Sequence, residues 1–408
     1  MARIGLIRQG SYSLDPRVRR EVAALADAGH TVDVICLRRP GEPRTERSGA
    51  VTVHRLRPPR GGYVARYAQF GVMAAGYATV LCARRRWDVV QVNTLPDALV
   101  FAAAGPRLLG ARVLLDLHEV MPEFFATKFG QGLDHPAVRL LGRVEQASIR
   151  FADHAITCTE PMRETFVRRG ADPTRISVVL NGADEAVFDP VRHPPRARQA
   201  GRFTLVSHGS LEARYGLDTL IEAVALIGDE IPGIEAWIYG EGAERAALGR
   251  LARDRGVTDR VRFSDGFVAI DELLAAIADA DAGVVAMRRD AFRDLTHCNK
   301  MFDFIEMRRP AIVSRTRSVH EYFDDSCFVL FDGGDAHDLA RAIRVLHADP
   351  ALGERLVRRA AEVGEPYRWT HQRRRYVAVV QALARRGAPV SASASSANRR
   401  SAEPRSVR

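Results

Sequence analysis

Short apolar runs alternate with segments of helical periodicity along almost the whole chain, and this rhythm limits the fold more than any other feature. "RIGLI" is followed by the helical pattern "DPRVRREVAALADAG", then by "TVDVICL". In that helix Val18, Val22, Leu25 and Ala26 fall on one face, and Gly29 fits a C-terminal cap. Further strand-like runs are "DVVQVN" (88–93), "RVLLDLH" (112–118), "HAITCT" (154–159) and "ISVVLNG" (176–182). Short strands separated by helices imply parallel βαβ units and an open, doubly wound sheet. The stretch "DPVRHPPRARQAGR" (189–202) breaks the rhythm with prolines and arginines and reads as a linker. The alternation then restarts with "FTLVSHG", "IEAWIYGEG", "RVRFSDGF", "AGVVAM", "PAIVS" and "CFVLF".

The expected architecture is therefore α/β, with two Rossmann-like, doubly wound parallel-sheet domains facing a central cleft. The first covers 1–188 and the second 203–365. Helices follow at 335–347, 350–363 and 370–385, and the segment 366–386 is expected to cross back to the N-terminal domain. Residues 387–408 form a low-complexity basic tail, expected to be disordered. The 408-residue length agrees with more than one domain.

Net charge is +10, with a pI near 9.8. This suits an anionic ligand or an anionic membrane surface. The charge is spread along helices and the tail with no recognition motif, so nucleic acid is not expected as a partner. The five cysteines, 36, 82, 158, 298 and 327, are scattered without a C-x-x-C pair, which argues for reduced thiols and against a zinc site. The N-terminus lacks a signal peptide's apolar core, so a cytoplasmic protein is expected. The most apolar run, 67–82, is short for a bilayer span of roughly 20 residues and reads as a buried helix. Arg66 and Arg84 to Arg86 flank it and leave peripheral contact at the inner face of the membrane open.

Ligands of doubly wound sheets sit beyond the C-terminal strand ends, so the loops there hold the candidate site residues. Gly209 and Ser210 follow one strand, with Arg214 and Gly216 before the next helix. Gly240 and Gly242 bracket Glu241, and Gly266, Phe267 and Val268 follow a third strand. Small residues let backbone N–H groups approach a ligand, although an ordinary turn explains each loop taken alone. "THCNKMFDFIEMRRP" (296–310) is more pointed. Sixty residues are Lys or Arg, and only Lys128 and Lys300 are lysine. A helix starting near Asn299 places Lys300 at its mouth and Asp303 one turn on, on the same face. The ammonium suits phosphate oxygens as a point charge, and the carboxylate suits paired hydroxyls such as those of ribose. A surface ion pair is the alternative.

These motifs together resemble family 4 glycosyltransferases of the GT-B fold, of the bacterial polysaccharide and cell-envelope type. "LNGADEAVFDP" (180–190), "HGSLEARYGLDTLIEA", "YGEGAER", "NKMFDFIEMRRPAIVS" and "DGGDAHDLARAI" resemble successive family motifs. "DPRVRREVAALADAGHTVDVI", "VNTLPDALVFAA" and "LDLHEVMPEFFATKFG" resemble the N-terminal half. The resemblance implies a retaining, metal-independent and cofactor-free transfer of a hexose from a UDP or GDP sugar. The acceptor would be a glycan, a lipid-linked molecule or a small molecule. It implies that Lys300 and Arg214 hold the diphosphate, with His118 completing the catalytic set. Gly10, Ser11, Gly209, Ser210, Gly240, Glu241, Asn299 and Met301 would line the donor site. Asp303 would bind the ribose and Gly266, Phe267 and Val268 the base, while Glu119 and Lys128 would lie on the acceptor side.

The chain also departs from the family. The first of the paired acids falls on Leu295, with Asp294 one residue off. The lysine of the Gly209 loop falls on Tyr215, and Arg308 replaces a glycine. Glu306 is a rival to Asp303 if the helix is rotated. A binding-only nucleotide-sugar protein of an envelope assembly and a nucleotide-sugar epimerase remain as alternatives.

Overall fold

The computed structural model describes residues 1–196 and 201–385. The tail expected at 387–408 and part of the linker lie outside the described residues. The described residues divide into two units, Met1–Val179 with 373–385, and Leu180–Gln372.

The first unit holds the strands β1 (Arg3–Arg8), β2 (Thr31–Leu37), β3 (Thr45–Ser48), β4 (Val51–Leu56), β5 (Val89–Asn93), β6 (Arg112–Leu117), β7 (His154–Thr157) and β8 (Ile176–Val178). Their order is β3-β4-β2-β1-β5-β6-β7-β8, and only the β3–β4 pair is antiparallel. The second unit holds β9 (Phe203–His208), β10 (Ile234–Tyr239), β11 (Val261–Phe263), β12 (Ala282–Val285), β13 (Ala311–Ser314) and β14 (Val329–Phe331). These form a parallel sheet ordered β11-β10-β9-β12-β13-β14. Central strands read as continuous apolar runs because helices cover both faces. Leu6, Val34, Val92 and Leu114 are fully buried in one sheet, and Leu205, Val284 and Ile312 in the other. The parallel strand order reverses between β1 and β5 in the first sheet and between β9 and β12 in the second. Such switch points open a crevice at the C-terminal strand ends.

The helix Pro16–Asp27 begins as its sequence dictates. Asp15 accepts from Val18 N at 3.1 Å, and Pro16 takes the first position, where no N–H is needed. Its buried face carries Val18, Val22 and Leu25 as expected, but also Glu21, while Ala26 is only partly covered. Gly29, just past the end, has φ +82°.

Two expectations are corrected. The boundary lies at Val179 rather than 188, because residues 180–185 are tied to the end of the second unit. Leu180 N donates to Gln372 Oε1 (3.0 Å), and Thr370 N donates to Glu185 Oε1 (3.0 Å). The helix expected to be buried at 67–82 runs from Tyr63 to Arg85 and buries only Phe70, Ala74, Ala78, Leu81 and Cys82. Its other face is open, with Val72 75% and Val80 53% exposed.

Candidate functional site

In the second unit, glycines let the loops after β9 and β10 touch. A side chain on Gly240 (φ +139°) would lie 1.8 Å from Gly209 O. Gly240 N donates to Ser264 Oγ (2.9 Å), which in turn donates to Gly266 O (2.7 Å), so the third glycine loop is joined to the other two. A Cβ on Gly209 (φ +106°) would meet Lys300 Cε at 2.7 Å and Nζ at 3.1 Å. The missing side chain is therefore the space that the lysine occupies. Lys300 opens the short helix Lys300–Glu306 and sets its ammonium 3.8 Å from the centroid of the Tyr215 ring. Arg214 and Arg293 face the same ring at 5.2 and 5.7 Å. Burial, with Arg214 and Arg293 adding to it, lowers the Lys300 pKa. Arg214 is bridged to Glu212 at 2.7 Å. Nε of Arg214 and of the buried Arg293 nonetheless have no hydrogen-bond partner. Cations gathered this way repel one another, and an anion among them would relieve the repulsion.

Asp303 is buried beside this cluster, with Oδ2 3.5 Å from His208 Nε2. His208 Nε2 has no hydrogen-bond partner, and burial followed by Lys300 pushes the ring down to about 3. The histidine is thus neutral and the contact is no ion pair. Ser210 and Asn299 are at least partly open to solvent, Phe267 is 68% exposed, and Glu241 Oε2 approaches Gly266.

In the first unit the C-terminal ends of β1, β5 and β6 enclose a buried polar cluster. Asp116 Oδ2 accepts from His118 Nε2 (2.8 Å) and Asn93 Nδ2 (2.7 Å), and its Oδ1 accepts from Arg17 Nη2 (2.5 Å). Glu21 Oε1 accepts from Arg17 Nε (3.1 Å), and its Oε2 accepts from Gln91 Nε2 (2.8 Å) and Asn93 Nδ2 (3.1 Å). Tyr376 OH donates to Gln91 Oε1 at 2.6 Å. Burial, then Arg17 and Arg8, hold the His118 pKa well below its usual value, so the ring is neutral. With Nε2 donating to a carboxylate, Nδ1 is left as an acceptor. His118 N donates to Thr94 Oγ1 (3.0 Å), and Arg8 donates to Thr94 O, which gathers the Gly10 and Ser11 loop at the same strand ends. Gly10 O accepts from Leu37 N (2.9 Å), and Ser11 Oγ meets Ser13 Oγ (2.8 Å). Glu119 is partly exposed, one residue past His118. Lys128 lies elsewhere, exposed among the rings of Tyr63, Phe124 and Phe129 at 5.4 to 5.8 Å.

Residues 14–182 match the glycosyl transferase 4-like domain, and residues 202–349 match glycosyl transferases group 1. The chain belongs to the family 4-like glycosyltransferases. The chain is 32% identical over 180 residues to a lipopolysaccharide core biosynthesis glycosyltransferase, LpsE, of Rhizobium meliloti, covering 44% of this chain and 47% of that one. It is 31% identical over 204 residues to LpsD of the same organism, covering 49% and 55%. The chain thus spans about half the length of these two relatives. A GDP-mannose-dependent phosphatidylinositol dimannoside mannosyltransferase of Mycobacterium tuberculosis matches over 391 residues at 27% identity, 92% of this chain and 93% of that one. The GT-B fold is shared with sucrose-phosphate synthase from Thermosynechococcus elongatus (TM-score 0.75, 21% identity, 94% and 99% covered).

Several expected site residues take other places in this chain. Met301 is fully buried with its N–H bonded to Cys298 O (3.2 Å), so it packs rather than lines a ligand surface. Asp294 does not stand in for the missing acid at Leu295, because both its oxygens are held by Arg289 at 3.0 and 3.1 Å. Glu306 is bound by Arg368 through two bonds of 3.1 Å and does not compete with Asp303. Arg308 shows why the family places glycine there, since its φ is +54°. Sequence reasoning missed Arg293, Glu21, Arg17 and Asp116. Glu21 had a readable signal, an acid on the apolar stripe between Val18 and Leu25. Arg293 had none, since its approach to Tyr215 joins positions far apart in the chain. Among the described residues no group of three or more His, Cys, Asp or Glu is placed to hold a metal ion.

Proposed function

We propose that this glycosyltransferase moves a hexose from a UDP- or GDP-linked donor to a glycan, lipid-linked or small-molecule acceptor, with retention of configuration. One observation carries the reading. Lys300, Arg214 and Arg293 converge on Tyr215, against a glycine whose missing side chain leaves room for the ammonium. Lys300 reaches the loop where the family lysine is replaced by Tyr215, and Arg214 beside that tyrosine supplies the loop's own cation. Breaking the glycosyl–phosphate bond sends its electron pair to the departing diphosphate. Cations already aimed there stabilise that transition state beyond the ground state. The acceptor oxygen bonds to the anomeric carbon on the same face, and its proton passes to the departing phosphate oxygen. Asp303 takes the ribose hydroxyls, Gly266 to Val268 the base, and His118 Nδ1 accepts from a hydroxyl of the sugar or acceptor. No step calls on a metal.

A thermal-shift screen of UDP, GDP and their hexose conjugates tests the donor, since a ligand of the native state raises apparent stability. At least one nucleotide is expected to raise Tm, and none doing so contradicts the reading. Donor hydrolysis without acceptor separates an enzyme from a binding-only protein. Release of nucleoside diphosphate with a free, inverted sugar would point to an epimerase.

We also infer that the acceptor is met at an anionic membrane surface. No Asp or Glu occurs between Glu46 and Asp88, while eight arginines do. The helix Tyr63–Arg85 lies in this stretch and exposes Tyr63, Val64, Val72 and Val80, and Leu108 is 89% exposed. None of the described helices is long and apolar enough to cross a membrane, so the reading is of a face lying on lipid. Co-sedimentation with phosphatidylglycerol vesicles, reduced in Val72→Ser/Val80→Ser, is expected. Equal binding to phosphatidylcholine vesicles, or none to either, overturns this.

A further inference from the structure

The proposed chemistry does not use the buried acid Glu21, although the first unit builds an elaborate cage for it. Glu21 and Asp116 are 3% and 0% exposed, and Arg17 is the one cation bonded to both. Gln91, Asn93 and Tyr376, which complete the cage, are fully buried and uncharged. The other ionisable groups facing it are His118, Cys158, which accepts from Arg17, and the mutually paired Arg8 and Asp15 (3.0 Å). Two ionised carboxylates against one guanidinium would bury an excess negative charge, which costs several kcal/mol in a dry site. One proton within the cage removes that excess.

We propose that Glu21 and Arg17 are positioning residues that fix the ring state of His118 through Asp116, and that a proton held on Glu21 is the variable that tunes this setting. The inference rests on the reading of His118 as an acting group. The path is short. Asn93 Nδ2 bridges Glu21 Oε2 and Asp116 Oδ2, and the same Oδ2 takes His118 Nε2. Arg17 clamps the other oxygen of each acid. Tyr376, from the helix Trp369–Ala384, holds the Gln91 carbonyl and so turns the Gln91 amide N–H toward Glu21. Burial, then Asp116, push the Glu21 carboxyl up to about 7, with Arg17 opposing. Below that pH the cage is neutral and His118 donates from Nε2 to Asp116. Above it the added negative charge strengthens that donation and makes the ring more basic.

Ring nitrogen NMR of the full chain, with His118 identified by its loss in His118→Asn, tests this without any donor. The wild type is expected to show the Nε2–H tautomer with an inflection near pH 7 from Glu21 ionisation. Glu21→Gln should keep the tautomer and lose the inflection, while Glu21→Ala should lose the tautomer preference. An Nδ1–H ring in the wild type overturns the proposal, even if the variants fail to fold. So does an unchanged inflection in Glu21→Gln. Because no substrate is added, such a failure stays distinct from failure of the transfer reading.

Discussion

The two units place a histidine at the end of a central strand and treat it in opposite ways. In the first, His118 and every member of the cluster behind it has a hydrogen-bond partner. In the second, His208 Nε2 and the Nε atoms of Arg214 and Arg293 have none, and Lys300 leans on an aromatic ring. A satisfied buried network holds a group still. An unmet buried polar group carries a desolvation cost, which a ligand bound beside it would offset. On the proposed function, the difference separates a unit that orients from a unit that receives charge.

The largest effects should therefore fall on the receiving side. Lys300→Ala is expected to cut donor turnover roughly a hundredfold, about 3 kcal/mol in the barrier, with circular dichroism unchanged. Gly209→Ala should approach the same loss, since its methyl would lie 2.7 Å from Lys300 Cε and displace the side chain. Near-wild-type rates in either variant would break the comparison.

Stability should show the reverse order. Gln91→Leu strips partners from Glu21 and Tyr376 and is expected to cost about 1–3 kcal/mol in urea unfolding. His208→Leu removes a nitrogen that had no partner and should stay within about 1 kcal/mol of wild type. Equal losses would erase the distinction.

The two sides should also answer pH with opposite sign. His208 and His297 are held down to about 3 by burial, against an ordinary 6.5. Their stabilising effect is complete above 6.5 and falls as the pH drops toward 3, because the unfolded chain takes up protons that the fold refuses. Glu21 is raised from 4.5 to about 7, so its share is greatest below 4.5 and declines as the pH climbs toward 7. Unfolding curves of Glu21→Gln should lose the second slope and keep the first. The smallest effect belongs to Arg308→Gly, which relieves a left-handed residue and should raise stability by up to about 1 kcal/mol.

Much of this was legible before the structure. Strand and helix alternation is written in apolar spacing, so both sheets could be read. Lys300, one of two lysines, stands out against an arginine background, and glycines mark the loops that must touch. Pairing between distant side chains is not written in spacing. Asp294, one residue off the family position, is paired with Arg289, and Glu306, the rival to Asp303, with Arg368. Glu21 lies on the apolar stripe between Val18 and Leu25, and its burial follows from that position. The helix Tyr63–Arg85 read as buried because composition reports how apolar a segment is, not what covers it.

The central claim is that the Lys300 cluster receives a diphosphate. Calorimetric titration of UDP and GDP into wild type and Lys300→Ala tests it most directly. We expect at least one nucleotide to bind the wild type, and Lys300→Ala to weaken it tenfold or more, about 1.4 kcal/mol. Equal affinity for both proteins would contradict the account.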